Sequence, residues 1–230
     1  LPKQRLLTFL IPDLFGNPAL HSYLDLADWK VKSIAVPTAE GGLRRFVEVA
    51  PGLYKNYVEG AAYLGILPLL LVPAAWLFRR HRYVWFFTGY AALSLLLAFG
   101  TPLYRLLWLV PGVNQLHTPF RWILPYSFSV AMLAGLGFHA ILERGTQPLS
   151  TTRILTWVGW LAAAAGAGVL VLVAVSRAFL GATLSLVDRL MAQSSILADA
   201  FGNGQLLYSY QARNLTIFGL LLSAGGLLFL

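Results

Sequence analysis

The sequence predicts an all-α integral membrane protein with about five transmembrane helices and short interfacial helices in its outer loops. Two observations on composition support this fold class: hydrophobic residues make up 58% of the 230 residues, and charged residues only 11%. A soluble domain carries about 25% charged residues, because its surface faces water. A third observation is that several stretches approach the roughly 20 apolar residues that a bilayer crossing requires. The composition therefore argues against a soluble globular enzyme.

Five stretches have the length and composition of spanning helices. They are residues 58–78, 83–100, 119–142, 154–176 and 214–230. Four of them form a block over residues 58–176, and the fifth has the character of a truncated span. We therefore expect the sequence to be part of a longer membrane protein.

Loop charges predict which ends of the spans face the cytoplasm. The first two spans are joined by the tight basic run RRHR at residues 79–82, and the loop of residues 143–153 carries two more arginines. Short loops rich in Lys and Arg stay in the cytoplasm. The segments predicted on the outer face are then residues 1–57, 101–118 and 177–213.

These outer segments are predicted to contain more than simple loops. Residues 1–57 combine a short apolar helix with a polar loop, and residues 103–110 are apolar but too short to span, which favours an interfacial helix. An amphipathic helix is predicted within residues 177–213, because four apolar residues share one helical face. They are Leu180, Leu184, Val187 and Met191.

Three glycines in the fourth span indicate close contact with another helix. Gly159, Gly166 and Gly168 are accompanied by a run of alanines. Small residues allow two membrane helices to approach closely. We interpret these glycines as packing residues and not as part of a reactive site.

The strongest candidate for chemistry is the run LHTPFRW at residues 116–122, where the third span enters the membrane from outside. Pro119 suits a first helical turn, and a helix start offers unpaired N–H groups to an anion. Arg121 adds a fork-shaped cation suited to phosphate. His117 and Arg105 could supply two further cations. The alternative is that Arg121 simply reaches the lipid headgroups, as arginines at helix ends commonly do.

A second candidate lies at the outer mouth of the first span, where Asn56, Glu59 and Tyr63 occur close together. An acid at the membrane edge is a functional suspect. Glu59 could pair with Arg121 or Arg105, or bind a sugar hydroxyl. The alternative is a structural ion pair between the ends of two spans.

The residue types present also narrow the expected cofactors and partners. The chain has no cysteine, and its four histidines show no metal-ligand spacing, so we expect no cofactor. A divalent metal is left open as an alternative, although these residues do not indicate one. A net charge of +8 favours contact with anionic membrane lipids. Nucleic acid would require a soluble basic face and is not expected. Protein partners in a membrane complex remain an open alternative.

Several ordered runs resemble one family of membrane proteins. The runs are LIPDLFG at residues 10–16, NYVEGAAYLGILPLL at 56–70, GTPLY at 100–104, the stretch from Pro-Gly to Pro-Phe-Arg at 111–121, and AGLG at 134–137. In order and spacing, over roughly residues 6–140, they resemble bacterial YfhO-type membrane proteins.

The resemblance implies a multi-span protein of the GT-C glycosyltransferase type in a bacterial cytoplasmic membrane. Such proteins use a polyprenyl-phosphate-linked sugar to modify cell-envelope polymers or lipids on the outer face. Their catalytic acid lies in the first outer loop, which we expect upstream of this sequence, so no catalytic residue is named. The family commonly has arginines two residues before and two after the span-entry proline. Arg121 matches the second, whereas His117 stands in place of the first.

On this interpretation we expect Arg121 and Arg105 to stabilise the departing lipid phosphate. Asn56, Glu59 and Tyr63 would position the sugar or its acceptor. The main alternative is a non-catalytic membrane subunit or scaffold of a larger complex. A transporter is disfavoured, because transporters place polar groups near the middle of the membrane, and the predicted spans carry no charges there.

Overall fold

The fold was analysed in a computed structural model of the 230-residue chain. The structure describes residues 3–14, 17, 22–33, 36–37, 43–44, 62–77, 82–107, 109, 112, 119–143, 149–193, 197–198 and 201–230.

The described part of the chain is mostly helical, which agrees with the predicted all-α class. Its α-helices are α1 (Ile66–Leu77), α2 (Arg82–Ala98), α3 (Tyr104–Leu107), α4 (Ile123–Leu142), α5 (Leu149–Ala178), α6 (Leu180–Ala192) and α7 (Gly204–Leu227). Short 3-10 helices also occur at Lys3–Phe9 and Pro119–Trp122.

Within these residues, two helical stretches are long and apolar enough to cross a membrane: Pro119–Leu142 and Thr152–Ala178. They coincide with the third and fourth predicted spans. Helices α1 and α2 are also apolar but shorter.

Two small antiparallel hairpins interrupt the helical architecture near the start of the chain. Strand β1 (Ser22–Leu24) pairs with β2 (Val31–Ser33), with Tyr23 opposite Lys32. Strand β3 (Val36–Pro37) pairs with β4 (Leu43–Arg44). The sequence analysis predicts a polar loop here and no strand, because strands of two or three residues are too short to show a repeating pattern.

Helix α1 is shorter than the span predicted for residues 58–78. Its 12 residues cover about 18 Å at 1.5 Å per residue, well under a bilayer core of roughly 30 Å. Local backbone chemistry sets its start. Gly65 has φ +93°, a left-handed conformation that ends regular structure and favours glycine. Pro68 lies in the first helical turn, where its missing N–H costs no hydrogen bond.

Helices α1, α2 and α4 pack as one unit, which we call the α1–α2–α4 group. At its centre α4 approaches α1 so closely that a Cβ at Gly137 would overlap the backbone carbonyl of Leu71. Around this point the packing is made by larger apolar side chains, including Val84, Phe87 and Leu133. The group therefore has one backbone-to-backbone approach, surrounded by ordinary side-chain contacts.

Helices α5 and α7 run antiparallel and form the closest pair in the described fold, the α5–α7 pair. A Cβ at Gly166 would come within 2.6 Å of the Gly219 carbonyl oxygen, and one at Gly159 within 2.8 Å of the Gly226 oxygen. Gly168, by contrast, faces open space. The glycines of α5 were predicted to pack closely; two of the three do so against α7, and Gly168 does not.

Helix α7 begins ten residues before the span predicted at residues 214–230. Gly202 has φ +69°, and the Asn203 side chain caps the helix by accepting a hydrogen bond from the Leu206 N–H at 2.8 Å. Residues 206–210 of this first part are buried although several of them are polar or aromatic. The sequence predicts an outer segment for these residues, because they lower the hydropathy of the stretch.

Helix α6 packs beside the start of α7. Its four residues predicted to share a face are all turned inward to some degree: Met191 is buried, and Leu180, Leu184 and Val187 are half-buried. Met191 joins Phe201 and Leu207 in one apolar cluster. Of the interfacial helix predicted over residues 103–110, the structure describes residues 103–107 and 109, and α3 covers Tyr104–Leu107.

Candidate functional site

Three of the six predicted substrate-binding residues are described by the structure: Tyr63, Arg105 and Arg121. The other three, Asn56, Glu59 and His117, lie outside the described residues.

Arg121 lies in the 3-10 turn Pro119–Trp122, immediately before α4, and its side chain is exposed. Trp122 at the N-cap of α4 makes no side-chain hydrogen bond to the first turn. Within the described residues no carboxylate pairs with Arg121. An exposed guanidinium beside an uncapped helix start is a suitable place for an anion, since both the cation and the first N–H groups attract it.

Tyr63 is brought to the same end of the helix group as Arg121. It lies just before α1, and its neighbours Ala62 and Leu64 pack in the same apolar cluster as Phe120, the residue that precedes Arg121. Ala62 is only 4% exposed. The packing of this cluster therefore joins two of the predicted segments, which are separated by nearly sixty residues of sequence.

Arg105 lies on α3, which follows the carboxyl end of α2 after a short link. Backbone hydrogen bonds form this turn, with the Arg105 N–H donating to the Pro102 carbonyl at 3.1 Å. The side chain is exposed. Since the turn before α4 packs against α2, Arg105 and Arg121 belong to the same end of the α1–α2–α4 group.

Among the described residues, no cluster of three or more His, Cys, Asp or Glu side chains could hold a metal ion.

A polar cluster that the sequence analysis did not identify lies on the other side of the molecule, where the β1–β2 hairpin meets α7. The Asp25 carboxylate is fully buried and accepts hydrogen bonds at 2.6 Å from both Lys32 Nζ and Gln205 Nε2. The Ala27 N–H donates to its other oxygen at 2.9 Å. A buried carboxylate is stable only when it is paired and hydrogen-bonded in this way. We call these residues the Asp25 cluster.

The Asp25 cluster stabilises the ionised form of Asp25 and the protonated form of Lys32. Burial acts to raise the pKa of Asp25, but the hydrogen bonds from Lys32, Gln205 and Ala27 outweigh it, so this pKa lies below its usual range. The hydrogen bond to Asp25 in turn raises the pKa of Lys32 above its usual range. Lys32 also pairs with the exposed carboxylate of Asp28 at 2.8 Å.

Other contacts attach the first part of the chain to α7. The Leu26 N–H donates to Ser209 Oγ at 3.1 Å, and Gln211 Nε2 donates to the Leu14 carbonyl at 2.7 Å. Asn214 Nδ2 reaches the Asp13 carbonyl at 3.4 Å. The first eleven residues of α7 thus form a platform on which the first part of the chain packs.

This docking encloses a cleft of about 590 Å³ between the β1–β2 hairpin and the α5–α7 pair. Two arginines line it, Arg177 from the end of α5 and Arg213 from α7, and we call it the two-arginine cleft. The sequence gives little indication that these two arginines share a site. Each is a single cation at the edge of an apolar run, and they lie 36 positions apart.

Comparison with known proteins identifies no relative of this chain. The chain matches no protein-family model, no curated protein and no solved structure.

Proposed function

We propose that the chain is a membrane glycosyltransferase-like protein. It uses a polyprenyl-phosphate-linked sugar to modify a cell-envelope polymer or lipid on the outer face of a bacterial cytoplasmic membrane. The observation that carries the proposal is the position of Arg121, which is exposed in the first turn of Pro119–Leu142, a helical stretch long enough to span a membrane. The resemblance of residues 6–140 to YfhO-type proteins supplies the reaction class.

The proposed topology has five spans, with residues 1–57 and 101–118 outside. Residues 177–213 are also outside, except that α7 enters the membrane near Tyr208, which lies beside Ser176 at the end of the fourth span. Because α1 is short, residues 62–65, which are not helical, take part in the proposed first crossing as irregular backbone. Irregular backbone is tolerated at membrane depth where protein covers it. Ala62, which lies in this stretch, is buried in the cluster that includes Phe9 and Tyr126, and this supports the proposal.

In the proposed reaction an acceptor hydroxyl attacks the anomeric carbon of the sugar, and the bond from that carbon to the lipid phosphate oxygen breaks. Arg121 and Arg105 stabilise the negative charge that develops on the departing phosphate. His117 adds a cation when protonated. Asn56, Glu59 and Tyr63 position the sugar or the acceptor. The base that takes the hydroxyl proton is a carboxylate, the group that the resemblance implies for the first outer loop.

The test is transfer of labelled hexose from polyprenyl-phosphate hexose by membranes containing the full-length protein. Arg121→Ala should lower transfer about a hundredfold, the size of effect seen when one charge-stabilising donor is removed. The matched control is Arg153→Ala, an exposed arginine near the start of α5, which should leave transfer unchanged. Full transfer by a folded Arg121→Ala protein would remove the proposed role of this residue.

A second candidate function is a non-catalytic membrane subunit or scaffold. It is supported by α5, whose residues Trp157, Trp160 and Leu161 are each more than half exposed and offer a wide apolar face to another helix. On this reading, replacing both Arg105 and Arg121 by Ala would not change any activity of the complex. Co-purification of a membrane partner that is lost on Trp160→Ala would support it.

A further inference from the structure

We propose that the two-arginine cleft binds the phosphate group of an anionic membrane lipid, with Arg177 and Arg213 as its phosphate ligands. The proposal rests on the membrane insertion proposed above. It does not depend on sugar transfer, because neither Arg105 nor Arg121 lines this cleft.

The walls of the cleft have a polar part and an apolar part, as a site for an amphiphilic ligand requires. The two arginines and the Ser209 hydroxyl supply the polar part, while Val173 and Ile217 are apolar. A binding site for a lipid combines a few polar groups for the headgroup with apolar surface for the chain.

The helix register orders these groups along the membrane normal. Ser176 of α5 lies beside Tyr208 of α7, with 3.0 Å between their hydroxyl oxygens. Since the helices are antiparallel, Arg213 lies about five residues, or about 7 Å, further into the α5–α7 pair than Tyr208. Ile217 lies deeper again by roughly one turn. The cleft therefore leads from two cations into the apolar part of the pair.

The charge of the two arginines is not cancelled by the described structure. No carboxylate of the described residues forms an ion pair with Arg177 or Arg213. The buried acid on the adjacent hairpin, Asp25, is committed to Lys32 and Gln205. Two uncompensated guanidinium groups in one cleft attract an anion, and their planar N–H forks suit phosphate oxygens.

Trp29 supports the orientation of Arg177. Its ring lies over the guanidinium, with 4.0 Å from the Arg177 Cζ to the ring centroid. The ring covers one face of the guanidinium and leaves its N–H edge available. Trp29 has φ +56°, a left-handed conformation that an aromatic residue rarely adopts. We assign Trp29 as a positioning residue for Arg177.

The hairpin that carries Trp29 exposes two large apolar side chains next to its charged residues Asp28 and Lys30. Trp29 is 59% exposed and Val31 73%. Tryptophan is enriched where protein meets the headgroup layer. An exposed tryptophan beside charged side chains is typical of the headgroup layer, and this favours a lipid phosphate over a free phosphate in solution.

The test is lipid retention by the full chain, measured by native mass spectrometry after reconstitution with equal amounts of phosphatidylglycerol and phosphatidylcholine. The wild type should retain phosphatidylglycerol about tenfold over phosphatidylcholine, the effect of one or two charge-assisted hydrogen bonds. Arg177→Gln with Arg213→Gln should remove this preference. The matched control is Arg189→Gln, an exposed arginine on α6 that does not line the cleft.

Equal retention of both lipids by the wild type would overturn the proposal. So would an equal loss of preference in Arg189→Gln, which would indicate general surface charge. If the double variant fails to fold, Arg213→Gln alone is the test variant. It should fold, because Arg213 forms no ion pair with the described residues. An unchanged lipid preference in the folded Arg213→Gln protein would also overturn the proposal.

Two further measurements are needed. One identifies the type of lipid that supplies the phosphate, and the other tests membrane insertion separately from lipid preference. Competition with a polyprenyl phosphate that displaces phosphatidylglycerol would support the phosphate site and identify an isoprenoid lipid as its occupant; failure to displace it would support a glycerophospholipid. Co-flotation with phosphatidylcholine vesicles tests membrane insertion by itself. A chain that does not float overturns this inference together with the proposed topology, whereas a floating chain without lipid preference overturns this inference alone.

Discussion

The α1–α2–α4 group and the α5–α7 pair carry their exposed cations in different ways. In the first, Arg121 and Arg105 lie on short turns at the end of the helices and are exposed. In the second, Arg177 and Arg213 lie on long helices and line a cleft closed by the hairpin that docks on α7. The first arrangement is visible as a local run of residues. The second exists only because distant segments meet.

The two units also differ in how their helices are held together. The α5–α7 pair relies on glycines that let backbones touch at several levels, whereas the α1–α2–α4 group has one such approach, at Gly137, among larger side chains. The difference indicates that small-residue packing determines the geometry of the cleft walls. The predictions below test this contrast, beginning with the largest effect.

The largest loss of stability is expected from added side chains at the contact glycines. Gly166→Val should destabilise the protein by about 3 kcal/mol, because the new atoms meet the Ser223 and Gly219 backbone, which cannot move aside. Gly137→Val should cost a similar amount through Leu71. Thermal unfolding in detergent measures both.

The matched controls are Gly168→Val in α5 and Gly135→Val in α4, each two positions from its partner and each with open space around the added Cβ. Both should be close to wild type in stability. Equal destabilisation by control and contact variants would show that valine in these helices, and not the contact, is responsible.

The second effect concerns the attachment of the hairpin. Asp25→Ala should destabilise the protein by about 2 kcal/mol, since it removes hydrogen bonds to a buried charge and leaves Gln205 without its partner. Asp28→Ala, which removes the exposed partner of Lys32, should have a clearly smaller effect. The comparison uses the unfolding temperatures of the two variants. A larger loss in Asp28→Ala would contradict the importance of the buried cluster.

The third effect is a pH dependence from the same residue. The pKa of Asp25 is lowered in the folded protein, so the unfolded chain binds the proton more readily. Its stabilisation is therefore complete above the unfolded pKa of about 3.9 and is lost as pH falls through the lower folded value. Unfolding temperatures between pH 6 and pH 3 should fall more steeply for the wild type than for Asp25→Asn. Parallel curves would show that Asp25 does not contribute this dependence.

The smallest effect is expected at Trp29. Trp29→Leu removes the ring that covers Arg177 and should cost about 1 kcal/mol or less, while reducing the phosphatidylglycerol preference of the cleft. Trp157→Leu, at an exposed tryptophan of α5, is the control for loss of aromatic surface. A full lipid preference in Trp29→Leu would contradict the positioning role.

Much of the helical framework is predictable because it is a local property. Helices α4 and α5 follow from long apolar runs, and no distant contact is needed to recognise them. Helix α1 is shorter than the span that the sequence predicts, since hydropathy does not register the backbone break at Gly65. Helix α7 was predicted too short, because its polar first part becomes buried only when the hairpin and α6 pack on it.

The candidate sites likewise divide into features that are local in sequence, which can be predicted, and features that depend on distant contacts, which cannot. Arg121 was identified from its own neighbours in sequence, as the cation beside a span-entry proline. The Asp25 cluster was not, because Gln205 lies 180 positions from Asp25 and neither residue stands out in its own segment. The cleft arginines were missed for the same reason.

The order of residues alone determined that this chain is helical and rich in apolar stretches, since the free energy of burying such stretches adds up along neighbouring residues. It also determined where isolated cations occur. Which cations share a cleft, which acid is buried and which glycines touch a neighbour were decided by folding. Those properties depend on contacts between residues far apart in the chain. The strength of each contact depends on how completely water is excluded from it in the folded protein.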